Sequence, residues 1–476
     1  MRVWLVNPRT DGMITTELPG YVSKEVGRFP PLGLLALAAY VRARRGDELR
    51  VLDLPAEELS YDRLAEEIRQ GEPDVVGITG TTHNLVEIQR AATLVKAARP
   101  RAVVVLGGPH VEAFPREATA LPGVDYSVRG EGEIPFALLL DSLERGESTP
   151  AIPGLGWPEG GDAVLHEPGP APDDLDALPF PARDLVDPDR YFYVLGKRSS
   201  FTTILSTRGC PYRCIFCSTP RGRYRMRSPG HILDEVEACL AGGAREFHFI
   251  DDTFNAARGR LGAVSEEILR RGLAIHWSFR GRVDTLTEEE IVLARRSGCQ
   301  RMHVGIENGS DEGLRLLRKG ITTAQVERAL VWARRHGITS AAYFLIGCPH
   351  EKTREDVLRT IDFACRVDPD FALFNILTIY PHTELHDQAV ARGLIGAEYW
   401  RDFARNPDPG FRMRFWEEHF SREELVSLLE TAYRRFYMRP RVIWRNLRSL
   451  GSLGELRHKA AAGLALLRGR NGKGRK

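Results

Sequence analysis

"TTILSTRGCPYRCIFCSTP", residues 202–220, decides how the rest of the chain is read. Its first half, "TTILSTRGC", reads as a buried strand running into a loop. That loop carries Cys210, Cys214 and Cys217, the first three of seven cysteines, in C-x3-C-x2-C spacing. Zinc ribbons and fingers use four ligands, often as two separated C-x2-C pairs. Here no fourth Cys or His follows until His231. Three thiolates from one short loop can hold three corners of a 4Fe-4S cube and leave one iron open to an external ligand. A zinc site, or three unrelated core thiols, is the alternative that spacing alone leaves standing.

Outward from the loop, strand and helix patterns alternate. Strands are expected at 246–252, 275–284, 301–308, 340–347 and 371–381, with helices at 257–271, 288–297, 323–336 and 353–366. With the strand before the cysteines, this makes six parallel β/α units, a partial (β/α)6 barrel. Functional groups on such scaffolds sit at strand C-terminal ends. Asp251 and Asp252, Glu307 with Asn308, and Gly347 occupy such ends, and Arg280 lies on the third strand. A carboxylate there also serves as a helix N-cap, the other reading of Asp252 and Glu307. The remaining cysteines, Cys239, Cys299, Cys348 and Cys365, read as core or structural residues.

The cysteine spacing, with Phe216 just before the last thiol, resembles the radical S-adenosylmethionine (SAM) superfamily. The resemblance implies a 4Fe-4S cluster on Cys210, Cys214 and Cys217, whose open iron binds SAM and whose electron cleaves it to a 5′-deoxyadenosyl radical. It implies that Phe216 and the backbone at Gly347, in "LIGCP", lie beside the adenine. It implies further that Asp251, Asp252, Arg280 and Glu307 contribute to SAM binding.

Residues 1–145 carry four short apolar strands, 2–7, 49–54, 74–80 and 102–108, separated by helical patterns. This is a doubly wound, Rossmann-like α/β domain, with ligands expected beyond the strand C-terminal ends. No G-x-G-x-x-G follows the first strand, so a dinucleotide site is not supported. "RGEGE" (129–133) has two glycines but no matching strand-to-helix context. Placed before a radical SAM core, the domain resembles the cobalamin-binding domain of B12-dependent radical SAM proteins, as do "RFPPLGLLALAAYVR" (28–42), "GITGTT" (77–82) and "LGGPH" (106–110). The resemblance implies cobalamin contacts at Thr81, Thr82, Gly107 and Gly108. The D-x-H-x-x-G motif of the older base-off fold is absent, so no histidine from it ligates cobalt. His83 reads either as a neighbour of the lower cobalt face or as a capping or solvated residue. A structural or partner-docking module without cofactor is the other reading of this domain.

Residues 146–195 are dense in Pro and Gly and read as a linker. The radical SAM core is assigned to 196–395 and a small helical C-terminal region to 396–476. Ser421 and Glu424 form a capping-box signature there. From 439 onward the chain is basic, with Glu455 the single acidic residue. This tail reads either as an interfacial amphipathic helix making peripheral membrane contact or as a helix packed on the barrel. Net charge is +2, which gives no global argument for nucleic acid. "MRVWLVNPRT" does not read as a signal peptide, no apolar run approaches ~20 residues, and the expected setting is a reducing cytoplasm.

The reading is a cobalamin-dependent radical SAM enzyme, a methyltransferase at an unactivated carbon of a small-molecule or lipid-like substrate, served by an external electron donor. A B12-dependent cyclase, oxidase or rearrangement enzyme uses the same motifs. A non-catalytic metal-binding or docking protein is the reading from another class.

Overall fold

The computed structural model describes residues 1–15, 27–169, 171–193, 196, 200–219 and 223–448. The tail from 449 to 476, most of the expected membrane-contact segment, lies outside the described residues.

Two sheets organise the chain. The first contains β1 (Arg2–Asn7), β2 (Glu48–Asp53), β3 (Val75–Thr79), β4 (Val103–Gly107), β5 (Tyr126–Val128), β6 (Leu155–Glu159) and β7 (Asp162–Leu165), in the spatial order β2-β1-β3-β4-β5-β6-β7. The first five are parallel and the last two antiparallel. Val- and Leu-rich central strands such as "VVVLG" suit a sheet covered on both faces. The covering helices include α1 (Leu32–Arg44), α2 (Tyr61–Gly71), α3 (Leu85–Ala98) and α4 (Glu133–Glu144).

The β6–β7 hairpin lies inside the stretch read from sequence as linker. Gly160 and Gly161 both have positive φ, 59° and 89°, the conformation a two-residue hairpin turn demands. Pro and Gly density here marks a tight turn rather than an unstructured connector. The connecting chain proper runs from 166 to 191.

The second sheet is wholly parallel, with β8 (Phe201–Ile204), β9 (Glu246–Phe249), β10 (His276–Gly281), β11 (Cys299–Glu307), β12 (Thr339–Ile346) and β13 (Phe371–Ile376) neighbours in chain order. No pairing joins β8 to β13, so the barrel is open, as expected. Its core unites strand residues such as Phe249, Trp277, Phe279 and Phe344 with the outer helices. Alternation then turns the intervening residues, His248, Ser278, Arg280 and His303 among them, toward the lumen. Sequence reading passed over the helix α5 (Pro229–Ala241), although Ser228 before Pro229 is a start signal and its hydroxyl accepts from His231 N at 3.1 Å.

The C-terminal helix α6 (Arg422–Tyr437) starts with the expected Ser421/Glu424 capping box. It packs Leu425, Leu428, Leu429 and Phe436 into the barrel core. Tyr433 OH donates to Phe374 O and accepts from Phe374 N, and Tyr437 OH does the same at Ala372. Two phenols thus satisfy backbone groups that β13 leaves open at the sheet edge. No helix among the described residues is long and apolar enough to cross a membrane.

Candidate active site

The cysteine loop leaves the end of β8 through a turn that one carboxylate organises. Asp251 accepts from Ser206 N (2.7 Å), Ser206 Oγ (2.9 Å), Thr207 N (2.5 Å) and Thr207 Oγ1 (2.8 Å). It has no exposed surface, and burial raises its pKa against the pull of these donors. Its oxygens, expected to meet SAM, are here engaged in holding the chain that leads to Cys210. Asp252, one residue on, is exposed.

The loop itself is held from several sides. Cys210 Sγ lies 3.5 Å from Thr253 Oγ1. Ile215 N donates to Leu317 O, and Leu385 N donates to Ile215 O. The Arg282 guanidinium lies 3.6 Å over the Tyr212 ring and donates to Lys319 O at 2.6 Å. Lys319 Nζ pairs with Glu307 at 2.8 Å, with both residues buried. Burial pushes the Cys214 thiol up, while Lys319 and Arg282 draw it down and Glu307 opposes them. Cys214 thus faces a space bordered by two cations and one acid.

Glu307 is a strained position. Its φ is +73°, and the ladder with β12 is irregular between Gly305 and Glu307. A Cβ on Gly305 would come within 2.3 Å of Glu307 Oε1 and 2.7 Å of Lys319 Nζ. Gly347 also has φ +73°. It opens a loop in which Cys348 N donates to Glu351, whose carboxylate also accepts from Asn308 Nδ2 and Thr360 Oγ1. Phe216 is half-buried against an apolar cluster shared by the first sheet's helices and residues 377–416. Arg280 stands on β10 with its side chain exposed. Sequence reading missed Tyr212, Gly305, Lys319 and Glu351, which lie outside the strand-end positions it searched.

All seven cysteines are free. Among the described residues no three His, Cys, Asp or Glu side chains converge closely enough for a single ion. Three thiols from one loop suit the separate corners of a polynuclear cluster better than one zinc. The donor set fits a three-thiolate 4Fe-4S site.

Between the first sheet and the start of the barrel lies a cavity of about 350 Å³. Gly33 of α1, Thr79 of β3, Gly107 at the end of β4 with Gly108 after it, and residues 130–133 line it, and Leu175–Pro181 of the connector cover one side. A Cβ on Gly33 or Gly107 would meet nothing within 4 Å, so both glycines leave open room. Gly108, at φ +93°, could not carry one without approaching Thr79 Oγ1 at 2.7 Å. This glycine-sided cradle fits part of a cobalamin, whose bulk would extend beyond it. Thr81 and Thr82 are not in its wall. Thr81 N donates to Asn84 Oδ1, while Thr82 is buried with its hydroxyl 3.1 Å from His110 Nδ1; of the threonines in this stretch, Thr79 lines the cavity. His83 is half-buried, its ring 5.6 Å from Tyr380.

The "RGEGE" loop, set aside in the sequence, borders this cavity and clamps the two halves. Arg208, two residues before Cys210, donates to Glu131 at 2.6 Å and to Glu133 at 2.5 Å, and Arg225 also pairs with Glu131. The cavity wall and the cysteine loop are thereby fixed to one another.

The B12 binding domain model matches residues 20–140 and the Radical SAM superfamily model residues 204–364. The chain is 35% identical over 454 residues to an uncharacterized methyltransferase of Pyrococcus horikoshii, covering 94% of this chain and 95% of that one. It is 28% identical over 423 residues to the anaerobic magnesium-protoporphyrin IX monomethyl ester cyclase of Rubrivivax gelatinosus, covering 87% and 74%. The solved structure of the radical SAM methyltransferase TsrM from Kitasatospora setae, with cobalamin and a 4Fe-4S cluster bound, aligns with a TM-score of 0.67 at 24% identity, over 82% of this chain and 75% of that one. A three-cysteine loop on an open parallel barrel, joined to a glycine-sided α/β cradle, agrees with these matches: the chain belongs to the radical SAM superfamily, among the members that carry a B12-binding domain.

Proposed function

We propose that this protein is a cobalamin-dependent radical SAM methyltransferase acting on a carbon of a small-molecule substrate. The observation that carries the reading is the clamp from Glu131 and Glu133 to Arg208, which ties the cradle to the cysteine loop. The cluster with SAM supplies radical chemistry, and cobalamin supplies a transferable methyl group. Cys210, Cys214 and Cys217 hold three irons. Asp252, Glu307 with Asn308, Phe216 and the Gly347 loop border SAM. Thr79, Gly107 and Gly108 border cobalamin. The division at 1–145, 196–395 and 396–476 follows from these roles, with the 155–165 hairpin belonging to the first unit. Seven free thiols suit a reducing cytoplasmic setting, and an external donor supplies the electron.

A second reading, ring closure without methyl transfer, is favoured by the likeness to the cyclase over 87% of this chain. Anaerobic reconstitution with iron, sulfide and cobalamin, followed by methyl-labelled SAM, a reductant and a small-molecule extract, separates the two. Methyl transfer yields 5′-deoxyadenosine and S-adenosylhomocysteine with label in a product. Ring closure yields 5′-deoxyadenosine and an unlabelled product. Undiminished 5′-deoxyadenosine from a Cys210→Ala variant would overturn the cluster assignment and both readings.

A further inference from the structure

The lumen of the barrel holds a chain of polar side chains that no part of the cofactor reading uses. Tyr193, from the connector's end, places its hydroxyl 2.9 Å from His303 Nε2, and His303 Nδ1 lies 2.9 Å from Tyr343 OH. Beside it, His248 stacks on Tyr193 at 5.2 Å and bonds to Ser278 Oγ through Nδ1 at 2.8 Å. Tyr193, His248 and His303 are buried, while Tyr343 is only half-buried. Burial first, and neighbouring arginines with it, holds His248 down at about 3 and His303 well below its ordinary value. Both imidazoles are therefore neutral, and each has one N–H.

The direction of the chain follows from satisfying buried donors. The Arg301 guanidinium lies 5.6 Å from the centre of the Tyr193 ring, and its charge favours release of the phenol proton. With the Tyr193 proton given to His303 Nε2, the His303 proton is on Nδ1 and is donated to the Tyr343 oxygen. The Tyr343 proton is left over. It is free to donate away from the wall, into the lumen.

Arg280 faces the same space. It is on the lumen face of β10, two residues beyond Ser278. Its guanidinium makes no hydrogen bond or ion pair among the described residues, and its side chain is exposed. Arg280 is the ladder partner of His303 on the neighbouring strand, and His303 in turn touches Tyr343; the Arg280 charge acts on His248, His303, Tyr193 and Tyr343. The cations that act on Cys214 are Lys319 and Arg282 instead. Two carboxylates come near. Glu307 is held by Lys319, and Asp252 feels the charge of Arg280 without forming an ion pair with it.

We infer that Arg280 and the Tyr343 hydroxyl form a receptor for an anionic oxygen group, a carboxylate or phosphoryl, carried by the substrate. This moves Arg280 from the expected SAM contacts to substrate recognition, and it rests on the radical SAM reading for what lies above it. An unpaired guanidinium and an oriented O–H are both donors, a pairing that anionic oxygens satisfy and hydrocarbon does not. The substrate class is therefore an acid rather than a neutral lipid.

SAM also carries a carboxylate, so the test must separate the two sources. The full-length reconstituted protein is treated with phenylglyoxal, and modification at Arg280 is followed by peptide mass spectrometry. The expected result is that Arg280 is labelled whether or not SAM is bound. Inorganic phosphate or acetate added to the SAM-loaded protein slows labelling severalfold, and Tyr343→Phe reduces that protection. Protection by SAM alone equal to that by phosphate would assign Arg280 to the methionyl carboxylate and overturn the proposal. Labelling indifferent to both anions would overturn it as well. Neither outcome depends on turnover, so the proposed activity can fail separately.

Discussion

Glu351 is 1% exposed and accepts hydrogen bonds from two strand-end loops, yet burial lifts its pKa from 4.5 to about 7. An acid whose folded value is raised binds its proton more tightly in the folded state. Its contribution to stability is greatest below pH 4.5 and is lost as pH rises toward 7. The gap makes that loss roughly 3 kcal/mol. Glu351→Gln removes the titration, so its urea midpoint between pH 5 and 7 should fall less steeply than that of the parent; equal slopes would refute the assignment. At this scale the sequence was least informative. Asp251 and Asp252 are adjacent carboxylates at one strand end, and nothing in their order says which is turned inward to the Ser206–Thr207 turn and which faces out. Thr79 and Thr82 pose the same problem, because a three-residue difference in a loop decides which hydroxyl borders the cavity.

The elements were far more legible. Period-two and period-3.6 patterns placed all six barrel strands and their main outer helices, because burial against a common core imposes those periods. What periodicity could not show is how elements meet. Gly347 reads as a loop glycine, but a Cβ there would lie 2.6 Å from Leu425 Cδ2 of α6. Gly347→Ala should cost about 1–3 kcal/mol, from left-handed backbone and overpacking together. A double-mutant cycle with Leu425→Ala checks this by denaturant unfolding. The glycine substitution should cost less in the Leu425→Ala background, and strict additivity would show that the contact is not felt. The basic tail divides likewise. Arg439, Arg441 and Arg445 all pair with Asp368, so its first turns are bound to the barrel, as the packed-helix reading expected. The basic charges from 449 onward are the ones left to the membrane reading.

Across the whole molecule, two halves with separate sheets are joined by the shared apolar cluster, by ionic contacts and by the connector. Arg208 is 20% exposed and faces Glu131 and Glu133. Replacing both acids by Gln leaves a largely buried guanidinium without its countercharges, which should lower stability by about 1–3 kcal/mol. The double variant should also be cut faster by protease within 166–191. An unchanged cleavage rate would mean that other contacts suffice to hold the halves. The connector has a further consequence. Leu175–Pro181 lie across the cradle, continuous at one end with the first sheet and at the other with the barrel. A guest beneath them is fastened as by a strap. On that side a guest can exchange only when the strap lifts, at the rate of a local unfolding event, however weak its individual contacts there.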